Sequence, residues 1–113
     1  MTLKEIIERF TIFDLYEKRV ITDDYAELVF YNKDLDEWSK IFVDIFGPAK
    51  KPKGVKTTQE DLDLTNNYGG VYDSQTLFKK EDNGVIKIAM LWPWQSGDYT
   101  TLKIIFLKNK TEA

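Results

Sequence analysis

The chain has 113 residues, of which 42% are hydrophobic and 31% are charged, and its net charge is −3. These values fit a single compact domain, residues 1–113, and argue against a disordered chain. The sequence contains no histidine and no cysteine, which excludes a Ser-His-Asp triad, a Cys-His pair and the usual zinc, haem or iron–sulfur sites. We therefore expect no cofactor.

Nothing in the sequence predicts a membrane span or export. No apolar run approaches the roughly 18 residues that a membrane helix needs. The first eight residues include two glutamates, where a secretory signal would have a basic start followed by an unbroken apolar stretch. Because the absence of cysteine also fits a reducing compartment, we expect a cytoplasmic protein.

The first 31 residues predict a helix followed by two strands. Thr2 and Glu5 have the spacing of a capping box, and an apolar stripe follows at helical spacing, which predicts a helix over about 3–12. Apolar and polar residues alternate over 25–31, which predicts a strand, and a weaker pattern over 15–21 predicts its hairpin partner.

The clearest predicted element is a longer helix over about 34–46. Asp34 and Glu37 have the spacing of a capping-box variant, D-x-x-E. Four side chains at helical spacing form its apolar face: Leu35, Trp38, Phe42 and Ile45. Gly47 and Pro48 end the helix, because glycine accepts the left-handed conformation and proline cannot continue a helix.

A lysine-rich loop at 48–57 precedes a short helix predicted at about 58–66. Thr57 or Thr58 is its expected N-cap. Two acids in the first turn, Glu60 and Asp61, complement the helix dipole.

The C-terminal part predicts a meander of three strands, over 74–80, 85–92 and 99–108. Asn83-Gly84 is a strong signal for a two-residue hairpin turn. The fold class is therefore α+β: a mainly antiparallel sheet of four to five strands, packed against one long helix and one or two shorter helices. Residues 109–113 are expected to form a frayed tail.

The most unusual local feature is the run Trp92-Pro93-Trp94. Proline cannot donate to a sheet ladder, so the strand should end there or lie at an edge, with Tyr99 close by across the turn. One interpretation is an aromatic binding surface at the hairpin tip, because tryptophan and tyrosine dominate binding hot spots. The other is structural: one tryptophan packs in the core and the other covers the end of the sheet.

The loop at 48–57 is a second candidate site. Lys50, Lys51 and Lys53, extended by Lys56, give it a strong local positive charge. The functional interpretation is contact with a phosphate, a nucleic-acid backbone or an acidic partner. The alternative is a solvated loop that balances acidic neighbours. Nucleic-acid binding is disfavoured, because no aromatic residue is interleaved and the chain as a whole is acidic.

Two other groups of charged residues invite a chemical interpretation. Counting from Asp61, Asn66 and Tyr72 stand where a calcium loop needs glycine and glutamate. The acids instead suit helix starts, so no metal site is predicted. Lys87 lies in an apolar strand, and one interpretation is a buried lysine that acts as a base or nucleophile. We expect it instead on the solvent-exposed face.

Three classes of function remain. The favoured one is a small non-catalytic domain that binds a protein partner, or a second copy of itself, through the aromatic hairpin tip. The second is a small-molecule-binding domain with an aromatic pocket between sheet and helix. Its expected lining is Tyr31, Trp38, Phe42, Trp92, Trp94 and Tyr99. The least favoured is an enzyme using carboxylate or tyrosine acid–base chemistry, for which no catalytic residue can be named.

Overall fold

A computed structural model describes residues 2–10, 13–95 and 97–108 of the chain. The strands are β1 (Leu15–Ile21), β2 (Tyr25–Tyr31), β3 (Thr76–Asp82), β4 (Val85–Pro93) and β5 (Tyr99–Lys108). The helices are α1 (Leu3–Arg9), α2 (Leu35–Phe46) and α3 (Gln59–Thr65), with 3₁₀ turns at Asn32–Asp34 and Asn66–Tyr68. The strands form one antiparallel sheet in the order β1-β2-β5-β4-β3. The predicted α+β class and the C-terminal meander are confirmed.

Different parts of the chain cover the two faces of the sheet. Helices α1 and α2 pack on one face and form the main core with it. There the ring of Trp38 stacks on Phe30 and Phe10, with centroid distances of 4.0 and 4.4 Å. Leu64 of α3 and Tyr68 pack over a second, smaller cluster on the opposite face. Helix α3 and the turn after it therefore cover part of the face of the C-terminal strands that α1 and α2 leave open.

Local sequence signals located all three helix starts, and two of them have a capping box. The capping boxes of α1, from Thr2, and of α3, from Thr58, are both present. The capping box expected at Asp34 is wrong, because this side chain makes no capping hydrogen bond. A 3₁₀ turn leads directly into α2, and Asp34 has near-helical dihedrals of φ −101° and ψ 6° instead of the extended backbone that an N-cap needs.

Some boundaries differ from the prediction. Helix α1 ends at Arg9 instead of continuing to residue 12, and residues 11–12 lie outside the described ranges. Strand β3 begins at Thr76 and extends to Asp82. The turn at Asn83-Gly84 has positive φ angles of 51° and 77°, as a type I′ hairpin requires. The expected tail at 109–113 also lies outside the described residues.

The exposed position expected for Lys87 is wrong. This residue is only 8% exposed, since it pairs with Phe106 on the face that α1 and α2 cover. Its ammonium lies 5.2 Å from the Phe106 ring centroid and 3.8 Å from the Asp82 carboxylate.

Within the described ranges, no helix has the length and apolar composition needed to cross a bilayer.

Candidate functional site: an aromatic surface beside the free edge of the sheet

Three of the predicted site residues, Tyr31, Trp94 and Tyr99, lie together on the sheet face opposite α1 and α2. Tyr16 of β1 joins them, and we call these four residues the aromatic surface. The Tyr99 ring centroid lies 4.2 Å from that of Tyr16, 5.1 Å from that of Trp94 and 5.7 Å from that of Tyr31. Tyr16 is 47% exposed, and the other three side chains are partly exposed.

The sheet pairing explains why these rings meet. Tyr31 and Tyr99 are directly opposite each other on β2 and β5. Trp94 follows β4, and its backbone N–H donates to the Tyr99 carbonyl at 2.9 Å, which closes the turn. Tyr16 is the extra residue of a β-bulge between Leu15 and Glu17, a feature that redirects side chains. The alternation pattern of the sequence could not place Tyr16, because the bulge depends on the pairing of β1 with β2.

Polar contacts orient the aromatic surface. The Trp94 Nε1–H donates to Thr101 Oγ1 at 2.8 Å, which fixes the orientation of the indole. The Arg19 guanidinium lies 5.7 Å from the Trp94 ring centroid, and the Lys33 ammonium lies 5.4 Å from that of Tyr31. Trp94 and Tyr31, which both contact Tyr99, therefore each have a cation close to the ring.

A shallow pocket adjoins the aromatic surface. Its volume is about 310 Å³, and its lining residues are Tyr31, Asn32, Lys33, Gly97, Asp98 and Tyr99. Asn32 is held from both ends of its amide, because it donates to the Gly97 carbonyl at 2.8 Å and accepts from Thr100 Oγ1 at 2.6 Å. The pocket therefore provides fixed polar groups beside the rings.

Trp92 does not belong to the aromatic surface. Its ring packs against the second core cluster, and the Lys103 ammonium lies 3.6 Å from its centroid. The same ammonium donates to the Tyr68 carbonyl at 3.1 Å, and Gly69 lies directly against the ring. Trp92 thus holds the segment after α3 to the sheet, whereas Trp94 remains at the surface.

A charged network lies between Trp92 and the aromatic surface. Glu27 accepts from the Tyr25 hydroxyl at 2.7 Å and from Arg19 at 3.2 Å, and Lys103 lies 4.0 Å away. Burial alone would raise the pKa of Glu27, but these hydrogen bonds and the Lys103 charge outweigh it and lower that pKa. Burial, with the Glu27 contact, raises the pKa of Tyr25, which is the opposite of what a tyrosine base requires.

The lysine loop keeps much of its charge inside the protein. Lys51 is 1% exposed, and its ammonium donates to the backbone carbonyls of Pro52, Asp73 and Gln75 at 3.2, 3.1 and 2.6 Å. Burial lowers the pKa of Lys51. Lys50 donates to the buried carboxylate of Asp61. Lys53 is exposed, so the loop offers a much weaker anion site than its composition indicates.

Metal binding has no structural support within the described ranges. No group of three or more acidic side chains there is placed to hold a cation. The Asp61 carboxylate accepts from Lys50 and from the Thr58 backbone N–H, which is the helix-capping role that the sequence indicates.

Replacing Gly69 with alanine should destabilise the protein by about 2–3 kcal/mol. A Cβ at this position would lie 2.5 Å from the Trp92 ring, and the φ angle of +96° is also strained for alanine. Gly54→Ala is a matched control, because its φ is +84° but nothing lies within 4 Å of the added Cβ. Urea unfolding of both variants measures the difference, and equal losses would mean that contact with Trp92 is unimportant.

Comparison with known proteins adds no assignment. No family model matches the chain, and neither the curated proteins nor the solved structures give a significant match.

Proposed function

We propose that the protein is a non-catalytic interaction domain that binds a partner protein through the aromatic surface. The observation that carries this proposal is four contacting rings, partly open to solvent, on a sheet face that α1 and α2 do not cover. Six large apolar side chains are exposed among the described residues, and two of them, Tyr16 and Val20, lie on the face of β1 that carries the aromatic surface. Such a concentration of apolar exposure is typical of an interaction site.

The composition of the surface suits a protein partner. Tyrosine and tryptophan provide large contact areas at low entropic cost, and the bond from Trp94 to Thr101 already orders one of the rings. Arg19 and Lys33 supply polar groups beside the rings, as in the rim of a typical protein interface. A partner side chain lying over Tyr16 and Tyr99 would therefore be surrounded by groups that exclude or bind water.

The geometry gives less support to the two other classes of function. The six residues expected to line a pocket between sheet and helix are divided by the sheet. Trp38 and Phe42 are fully buried on the α2 side, whereas Tyr31, Trp94 and Tyr99 lie on the opposite face. Of these six residues, Tyr31 and Tyr99 line a shallow pocket that could take a small ligand. In the pocket beside Tyr99, burial and the neighbouring Tyr16, Tyr31 and Asp98 raise the pKa of the Tyr99 hydroxyl, which disfavours its use as a base.

We also propose that the domain acts in the cytoplasm. The support is compositional: a chain with no cysteine gains nothing from an oxidising compartment, where small domains are often stabilised by disulfides.

The experiment is affinity capture from a lysate of the source cells, followed by titration with the purified partner. We compare the wild type with Tyr16→Ser and Tyr99→Ser, and use Tyr72→Ser as a control because Tyr72 is 58% exposed and lies outside the surface. We expect the first two variants to weaken binding about tenfold or more, and the control to bind like the wild type. Circular dichroism checks that each variant is folded. A partner that binds all four proteins equally would refute the proposal.

A further inference from the structure

Strand β1 leaves one edge of the sheet open. Among the described residues its one pairing partner is β2, and six of its seven residues are exposed. At the other edge, the backbone of Lys51 pairs with Leu77 of β3, so the chain covers part of that edge itself. A free edge presents unpaired backbone N–H and C=O groups, to which another strand can add.

Two bulges give β1 a symmetric distribution of side chains. Leu15, Lys18 and Ile21 pair with core-facing residues of β2, which places them on the α1/α2 face. The other four residues lie on the opposite face, as their register or their contacts show: Tyr16, Glu17, Arg19 and Val20. In either direction from Lys18, the next two residues therefore lie on the face opposite α1 and α2, and the third residue lies on the α1/α2 face.

We infer that two copies of the protein associate by antiparallel pairing of their β1 strands about a twofold axis at Lys18. This register places Glu17 opposite Arg19 of the second copy, Tyr16 opposite Val20, and Leu15 opposite Ile21, each pair occurring twice. Opposite charges and apolar pairs are the favourable cross-strand combinations. The two five-stranded sheets would join along their β1 edges in an isologous interface.

The charges make this strand self-complementary with a preferred register. Arg19 now bonds to Glu17 at 2.8 Å and to Glu27 at 3.2 Å of its own chain. On pairing, it would keep Glu27 and exchange Glu17 for that of the second copy. A shift of one residue would place Glu17 opposite Lys18 of the second copy, although these two side chains lie on opposite faces of the sheet. The seven residues of one strand would then no longer face residues on the same side of the other strand. The unfavourable contact in the preferred register is Lys18 against Lys18 of the second copy.

The inference concerns the edge of β1 and does not depend on the aromatic surface having a partner. The test is a charge-reversal pair measured by sedimentation equilibrium at low salt. Glu17→Arg makes both positions basic and Arg19→Glu makes both acidic, so each variant alone should dimerise about tenfold more weakly than the wild type. An equimolar mixture should recover the dimer, because each strand then faces its complement.

Two further variants separate the possible outcomes. Lys18→Thr removes the repulsion at the axis and should tighten the dimer several-fold. Tyr99→Ser should dimerise like the wild type, so that a loss of partner binding can be distinguished from a loss of dimerisation. Circular dichroism confirms folding before each run. A wild type that stays monomeric at the highest soluble concentration would overturn the inference, and so would a mixture that forms no more dimer than its components.

Discussion

A Trp38→Ala variant should lose about 3–5 kcal/mol of unfolding free energy, a large part of the stability of a domain of this size. Trp38 is fully buried, and its ring lies between those of Phe10 and Phe30, with a third ring, Phe13, at 5.5 Å. Alanine would leave a cavity where α1, α2 and the sheet meet. Urea unfolding followed by far-ultraviolet circular dichroism measures the loss.

Trp38→Phe is the matched control for this prediction. The Trp38 indole N–H is buried and has no hydrogen-bond partner among the described residues. Phenylalanine keeps an aromatic ring between Phe10 and Phe30 and removes the unsatisfied donor, so the cost should be smaller, about 1–2 kcal/mol. If phenylalanine costs as much as alanine, ring stacking does not explain the stability at this position.

The second large effect is expected for Lys51→Met, which should cost about 2–4 kcal/mol. Methionine retains most of the apolar stem but cannot donate to the three carbonyls that Lys51 now contacts. Those bonds hold the loop at 48–57 against the segment before β3. Hydrogen bonds from a charged donor are stronger than neutral ones, which is why we expect more than the usual effect of a lysine substitution.

Lys53→Met is the control that distinguishes the effect of losing a buried lysine from the effect of losing a positive charge in that loop. Lys53 is exposed, and its replacement removes the same formal charge from the same segment. We expect a change within about 0.5 kcal/mol, as for most surface substitutions. Guanidinium chloride unfolding of both variants is the measurement. Similar losses for the two lysines would contradict the structural role assigned to Lys51.

The two proposals combine in a specific way. Pairing of β1 about Lys18 keeps like faces on the same side, so the aromatic surfaces of both copies would lie on one face of the joined sheet. A dimer would then present two equivalent binding surfaces, and a partner with two matching segments would gain avidity. Tyr16 belongs to both the aromatic surface and the β1 edge. Dimerisation through β1 and partner binding at the aromatic surface can therefore affect each other through this residue.

The candidate site was only partly predictable from the sequence. The turn brought Tyr99 close to Trp94 as expected, at 5.1 Å between ring centroids. Which tryptophan is covered depended on the segment after α3, where Gly69 lies against Trp92. Tyr16 was missed because its position depends on a bulge, which has no recognisable signal in a single strand.

The sequence alone determined the elements whose signals are local. The capping box at Thr2, a threonine N-cap for α3 and the Asn83-Gly84 turn each depend on contacts within a few residues, so the local sequence predicted them, with Thr57 and Thr58 as alternatives for the cap. Tertiary structure alone decided which charged residues are buried. Lys51 and Lys87 resemble exposed lysines in sequence, but Asp73 and Gln75 supply carbonyl partners to Lys51, and Phe106 of β5 covers Lys87. Burial is a property of the assembled sheet and its coverings, and residues far apart in the chain determine it together.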